Sequence, residues 1–576
     1  MAGETELIIR GGMIADGLGG EPFEADVAIG GGKILAVGKL GPAARGTAEI
    51  DARGKLVTPG FVDVHTHYDG QATWSSRLDS SSWHGVTTAL IGNCGVGFAP
   101  CTPERRDILV ALMEGVEDLP EVVLTEGLPW TWQSFPEFLD VLGARSYDMD
   151  IVTQVPHAAL RIHVMGARAA NHEPANQADR AEMARLAVEA VRAGALGFST
   201  SRALAHKTLD GRHTPTLRAA EEELAEIGRA LGQIGAGWLQ VISDFDEPGE
   251  EFAMLRRIAE AACRPMTFSL LQREKVPWLW RFLLDRIEEA NAAGTRITGQ
   301  VMGRPIGLML GFELSQNPFF ARPSWKHVAA LPFTERLAVL RQPEFRRQIL
   351  SEPTSDPAMA HRLNTWDRLF PLGNPPEYEP APEKSLAAMA VRHGVDVQEL
   401  AYDLMLEKDG RGILNRPIIN YADGDLEAVK VMVEHPHTLM GLGDGGAHVG
   451  LICDASSTTS RITHWTRDRT RGERLPLGFV VRRLTRDNAV AIGLHDRGVI
   501  APGMKADINV IDYDRLQVRS PEVVYDLPAG GKRMVQRADG YVATLVAGQP
   551  VYREGEATGV LPGRLVRGAQ SATAVA

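Results

Sequence analysis

The sequence has 576 residues, 44% of them hydrophobic, and a formal net charge of −12. That length exceeds one hydrophobic core and predicts two or three domains, while the acidic balance sets aside nucleic acid and anionic membrane surfaces as main partners. Four cysteines (Cys94, Cys101, Cys263 and Cys453) are too few for a disulfide framework and suit a reducing, cytoplasmic setting where a thiol is free for metal or catalysis.

The N-terminal stretch lacks a basic segment followed by an apolar run, and no apolar stretch is long enough to span a bilayer. A soluble, cytoplasmic protein is therefore expected. Residues 5–57 read as short strands between glycine turns: Leu7–Gly12, Ala25–Gly38 and Ala48–Gly54. The far end repeats the style in Gly498–Asp512 and Gly540–Tyr552. The two ends predict one small β-sandwich, residues 1–58 with 491–576. The last dozen residues, rich in Ala, Ser and Gly, are expected to fray.

Between the ends, apolar runs alternate with amphipathic helices. Thr87–Gly92, Asp150–Val155, Gly197–Thr200, Trp238–Ser243, Pro265–Leu271 and Thr438–Leu442 read as buried strands, and Asp179–Ala193 and Ala219–Ile234 as helices. This alternation predicts an α/β fold, a (β/α)8 TIM-like barrel over residues 59–490 with its active site at the strand C-terminal ends. Residues 303–415 break the rhythm with proline and aromatic clusters. They read as an insertion over the barrel mouth, a lid or substrate wall.

The chemistry concentrates at strand ends. His65 and His67 alternate along the extended stretch Thr58–Asp69, so they share one face and form a ready pair of metal ligands. Cys94, inside Ile91–Gly95, offers a thiolate beside them. Asp444 sits at the end of another apolar run and would act as base on a metal-activated water; a turn aspartate is the structural alternative. His448, four residues on, would ligate, polarise a carbonyl or hold the loop. His157 ends the third strand, where it would face the mouth and bind substrate or make a structural hydrogen bond. Ser199 and Arg202 follow the fourth and would present a hydroxyl and a guanidinium to a substrate carboxylate, with Arg161, Arg168 and Arg461 competing for that role. Trp130, Trp132, Trp278 and Trp280 would line an acyl pocket or belong to the core. The glycine-rich segments carry no nucleotide pattern.

Pro59–His67, Gly85–Thr88, Gly92–Gly95, Ala195–Arg202, Gly443–His448 and Gly498–Asp507 together resemble the amidohydrolase superfamily, in its D-aminoacylase (N-acyl-D-amino-acid deacylase) branch. The resemblance implies hydrolysis of the linear amide of a small N-acyl amino acid or related N-acyl compound, with Asp444 shuttling the proton. It implies metal at His65, His67, Cys94 and Asp444. The branch's histidines on strands five and six find Val241 and Leu270 here. One divalent ion rather than two is therefore expected, zinc before other metals, with His448, His163 or His206 as substitute ligands. Cyclic amide, carbamate or lactone hydrolysis, and a barrel silent through loss of metal, are the alternatives. A small-molecule substrate is the expected partner, and homo-oligomerisation is left open.

Overall fold

The computed structural model describes residues 4–41 and 44–569. Both ends of the chain build one nine-stranded sheet. Leu7–Ile14, Phe23–Gly30, Lys33–Gly38, Ala48–Asp51 and Leu56–Pro59 enter from the N-terminal side; Ile508–Ile511, Tyr541–Val546, Gln549–Arg553 and Glu556–Ala557 enter from the other. The seam is the antiparallel pairing of Leu56–Pro59 with Ile508–Ile511. Ile9, Val27, Ile29, Val57, Ile508, Val510 and Leu545 form its buried apolar cluster. Their spacing of two within each strand is what places them on one face.

Not all of the C-terminal segment joins that sheet, as the sequence had suggested. Glu522–Leu527 and Gly531–Val535 pair only with each other, as a hairpin. Met534 N–H donates to Val449 O at 2.7 Å, so the hairpin reaches the loop after the last parallel strand. The tail is also better held than composition suggests. Val566 N–H donates to Ile151 O and Gly568 N–H to Gly194 O, each at 2.8 Å. From residue 570 onward, the expected fraying lies outside the described residues.

The middle of the chain lays down parallel strands in order. They are Phe61–Asp63, Val86–Ile91, Asp150–Thr153 continuing as Val155–Pro156, Phe198–Arg202, Leu239–Ser243, Met266–Ser269, Ile297–Gln300 and Thr438–Leu439. Each pairs with the next. Backbone bonds also link the first to the last: Asp444 N–H to His65 O at 2.9 Å and His67 N–H to Gly445 O at 2.7 Å. The seventh strand, Ile297–Gln300, escaped the sequence reading because it is four residues long with Gly299 at its centre.

A buried ionic seam joins this body to the terminal sheet. Arg497 Nη1 lies 2.6 Å and Lys505 Nζ 2.8 Å from Asp150 Oδ2. Opposed charges so far from water must be matched, since one left alone costs several kcal/mol.

Residues 303–415 have a core of their own, including Leu308, Phe312, Phe319, Trp325, Tyr402 and Leu414. They dock on the loops after the sixth and eighth parallel strands. Arg368 pairs with Glu274 at 3.0 Å, and Met309 N–H donates to Leu451 O at 2.8 Å. No helix among the described residues is long and apolar enough to cross a membrane.

Candidate metal centre

The first parallel strand delivers His65 and His67 just beyond its C-terminal end, and both are buried. Asp63 Oδ1 accepts the His65 N–H at 3.1 Å and fixes the exit of the chain. Burial pushes the Asp63 carboxyl up to about 6, against the pull of Arg461. Gly443, on the opposing segment, makes room for it: a Cβ there would stand 1.8 Å from Asp63 Oδ2. Cys94 follows the second strand in a tight turn with φ of 55°. Asp444 and His448 also have left-handed backbone, each with φ of 50°. Such non-glycine positions are sparsely populated and gather at functional sites.

The side chains converge. His65 Nε2 lies 3.1 Å from Cys94 Sγ and 3.5 Å from Asp444 Oδ1, and His67 Nε2 lies 3.4 Å from the same oxygen. One ligand atom each from His65, His67 and Cys94 falls within a 4.8 Å group. Ligands around a tetrahedral zinc, at bond lengths of roughly 2.0–2.3 Å, are about 3.3–3.6 Å apart. The donor set therefore fits a zinc-sized divalent ion. Its charge fits too, because one thiolate and one carboxylate balance a dication.

Outer groups hold the donors in place. His65 Nδ1 is 2.6 Å from Gln300 Oε1, which leaves Nε2 facing the cluster. His67 Nδ1 is 3.2 Å from Glu117 Oε1. The Gln300 contact orients His65, and the buried Glu117 carboxylate favours a charged His67 ring. Cys94 N–H donates to Gln240 Oε1 at 2.9 Å. Electrostatics agree with the crowding. Burial opposes a charge on His65, yet the Cys94 thiolate and Asp444 raise it to about 9. Against the same burial, His67 and His65 hold Asp444 well below the usual carboxylate range. The Cys94 thiol is likewise lowered, by His65 before His67 and in spite of burial.

On strands five and six, the face carrying Gln240 is the one turned to Cys94. By alternation it also carries Ile242, and across the paired register Thr267 and Ser269. Val241 and Leu270, the positions expected from sequence to stand for the histidines, lie on the opposite face. A Cβ on Gly299 would meet Leu270 Cβ at 2.9 Å and Ile287 Cδ1 at 3.4 Å, toward the helices. Neither face supplies an imidazole. Of the substitute ligands, His163 lies in the helix His157–Met165, where Arg105 bonds its carbonyl, and neither His206 nor His448 joins the converging group. His448 Nε2 is 4.0 Å from Glu117 Oε2.

Ser199, His157 and Arg202, the three residues expected to bind substrate, each make hydrogen bonds within the fold. Ser199 is buried; its hydroxyl donates to Gly92 O and accepts the Gly95 N–H at 3.0 Å, which staples the Cys94 turn. His157 is buried between Thr200 Oγ1 and Glu223 Oε1, 2.8 Å from each. Arg202 alternates with Ser201 along the strand and donates to Ala219 O at 2.9 Å. Arg161, Arg168 and Arg461 are committed to Glu223, Asp179 and the Met440 carbonyl. Trp132 packs in the core with Trp130 and Phe138, Trp280 is buried, and Trp278 is exposed.

A cleft opens beside His67 and Asp444. Trp74, Leu119, Val449 and Ile452 give it apolar walls, and Leu527, Arg533 and Met534 of the C-terminal hairpin close one side. The hairpin and the loop after Asp444 form this side of the cleft. Sequence reasoning missed Glu117, Gln300 and Trp74; each is an ordinary residue until the fold carries it to the site.

The amidohydrolase family profile matches residues 48–552. D-aminoacylase of Alcaligenes xylosoxydans xylosoxydans is 27% identical over 97% of this chain and 97% of its own. Two solved structures align over 98% of this chain and all of theirs at 23% identity: D-aminoacylase, with a TM-score of 0.65, and N-acyl-D-glutamate deacylase of Bordetella bronchiseptica complexed with zinc and a phosphonate inhibitor, with a TM-score of 0.64. At that identity, the structural likeness speaks for the fold.

Proposed function

The chain belongs to the amidohydrolase family, and from that premise we propose that it is a metal-dependent hydrolase of linear amides. Its substrate is a small N-acyl amino acid or a related N-acyl compound. The observation that carries this reading is the convergence of His65, His67 and Cys94 at one buried point, with Asp444 Oδ1 3.5 Å and 3.4 Å from the two histidines. We read the cyclic order of parallel strands as a closed (β/α)8 barrel, with the terminal sheet as a sandwich domain and the site at the strand C-terminal ends. The deacylases among its relatives support an amide substrate.

When bound, a divalent ion such as zinc supplies a Lewis acid and lowers the pKa of a water to about 7. His65, His67, Cys94 and Asp444 are the residues that would hold it, one ion rather than two. Asp444 stays ionised because His67 and His65 outweigh its burial. It takes the proton of the attacking water and gives it to the nitrogen as the C–N bond breaks. Trp74, Leu119, Val449 and Ile452 offer the acyl group an apolar wall. Arg533 is already bonded to Asp79 and Asp526, both at 2.8 Å. A substrate carboxylate therefore meets no free guanidinium on that wall, and the amine side is left broad.

A panel of N-acyl amino acids, neutral N-acyl amides, cyclic amides, carbamates and lactones tests the reading. Linear amides should be cleaved, and Asp444→Asn should keep the fold while lowering kcat by about 10²-fold or more. Turnover confined to lactones, with no amide cleaved, would overturn the assignment.

A further inference from the structure

We infer that His206 is a neutral hydrogen-bond donor to the oxyanion that forms at the acyl carbonyl, acting through Nε2–H. This rests on the amide-hydrolase reading above.

The loop after the fourth parallel strand brings His206 to the site. The end of that strand abuts the metal-binding turn: a Cβ on Gly95 would stand 2.8 Å from Thr200 Cα and 3.0 Å from Ser201 N. Ser201 Oγ is 2.8 Å from His206 Nδ1. The loop is built rather than loose. Leu204 N–H donates to Asp244 Oδ2 at 2.6 Å, Thr214 N–H donates to His206 O at 2.8 Å, and Thr216 Oγ1 donates to Ser201 O at 2.7 Å. On its other side it lies against the helix that carries Glu117, where a Cβ on Gly115 would meet Lys207 O at 2.3 Å.

Hydrogen-bond accounting fixes the tautomer. Ser201 is buried, and among the described residues its hydroxyl has two partners. The Ala203 N–H donates to it at 3.2 Å, so the hydroxyl proton has a single acceptor in reach, His206 Nδ1. The ring proton is therefore on Nε2, which has no hydrogen-bond partner among the described residues. Burial, with His448 and His67 nearby, lowers the His206 pKa to about 3, against the opposing pull of Asp244 and Asp444. The ring thus stays neutral at working pH. A neutral imidazole of fixed tautomer suits a donor that must stabilise developing charge without releasing its proton.

As water forms its bond to the acyl carbon, the carbonyl π pair moves onto oxygen and Nε2–H donates to it. The carbonyl re-forms as the C–N bond breaks. The amine leaves with the proton from Asp444, and His206 keeps its own.

The test compares zinc-loaded wild type with His206→Phe, which removes the donor but keeps a ring, and His206→Gln, whose amide restores one. His206→Phe should lower kcat by about 10²-fold with little change in KM, and His206→Gln should recover about a tenfold part of that loss. Bound zinc should stay at the wild-type level. The affinity for methylphosphonate, a tetrahedral anion, should fall about tenfold in His206→Phe and recover in His206→Gln. Loss of zinc from His206→Phe would make His206 a ligand, and unchanged methylphosphonate affinity would leave it no donor role; either overturns the inference. If wild type cleaves no amide, the functional reading falls, and the methylphosphonate comparison still decides the role of His206.

Discussion

Glu117 Oε1 stands 3.2 Å from His67 Nδ1, on the side of the ring turned away from Asp444. The carboxylate is buried at the end of the helix Arg106–Glu117. Its neighbour Asp118 holds Gly450 N–H at 3.0 Å and Ser315 Oγ at 3.2 Å. One helix end thus stands against His67, the loop after Asp444 and the insertion. Glu117→Gln should weaken zinc affinity by roughly 10–100-fold, read by competition with a chromophoric chelator. Unchanged affinity would reduce Glu117 to a packing group.

Zinc uptake should depend on pH in a definite direction. In metal-free protein His65 keeps its proton up to about 9, above its ordinary value of 6.5, because the Cys94 thiolate and Asp444 outweigh burial. A raised imidazole pKa stabilises the metal-free fold below about pH 6.5, and that contribution is lost as pH rises through about 9. Zinc requires the neutral ring, so binding must expel this proton. Apparent affinity should climb from pH 6.5 to 9 and then flatten. A flat titration across that range would refute the coupling.

Gly443 is required by contact, since any Cβ there invades Asp63 Oδ2. Gly443→Ala should push Asp63 off the His65 N–H and disturb both the strand end that carries His65 and Asp444 beside it. A loss of zinc affinity together with a lowered Tm is expected. Retention of both would mean that Asp63 relaxes freely.

Much of this site was legible from local pattern. Two histidines at a spacing of two, a cysteine in a glycine turn and an aspartate at a strand end each announce themselves within a few residues. What stayed hidden depends on contacts distant in sequence. Gln300 reaches His65 across 235 positions, from a strand too short and too glycine-broken to read. Arg202 and Ser201 alternate along one strand, and it is Ser201 that bonds His206. Val241 and Leu270 were displaced by the same alternation. The hairpin at Glu522–Val535 looked like more of the terminal sheet because strand composition does not encode which edge a strand finds.

The most direct measurement is a zinc titration of metal-free protein, following hydrolysis of the linear amide selected from the panel. The account predicts that the rate rises to a plateau at one equivalent of zinc per chain and collapses when a chelator is added. Metal-free protein as active as the loaded enzyme would contradict it.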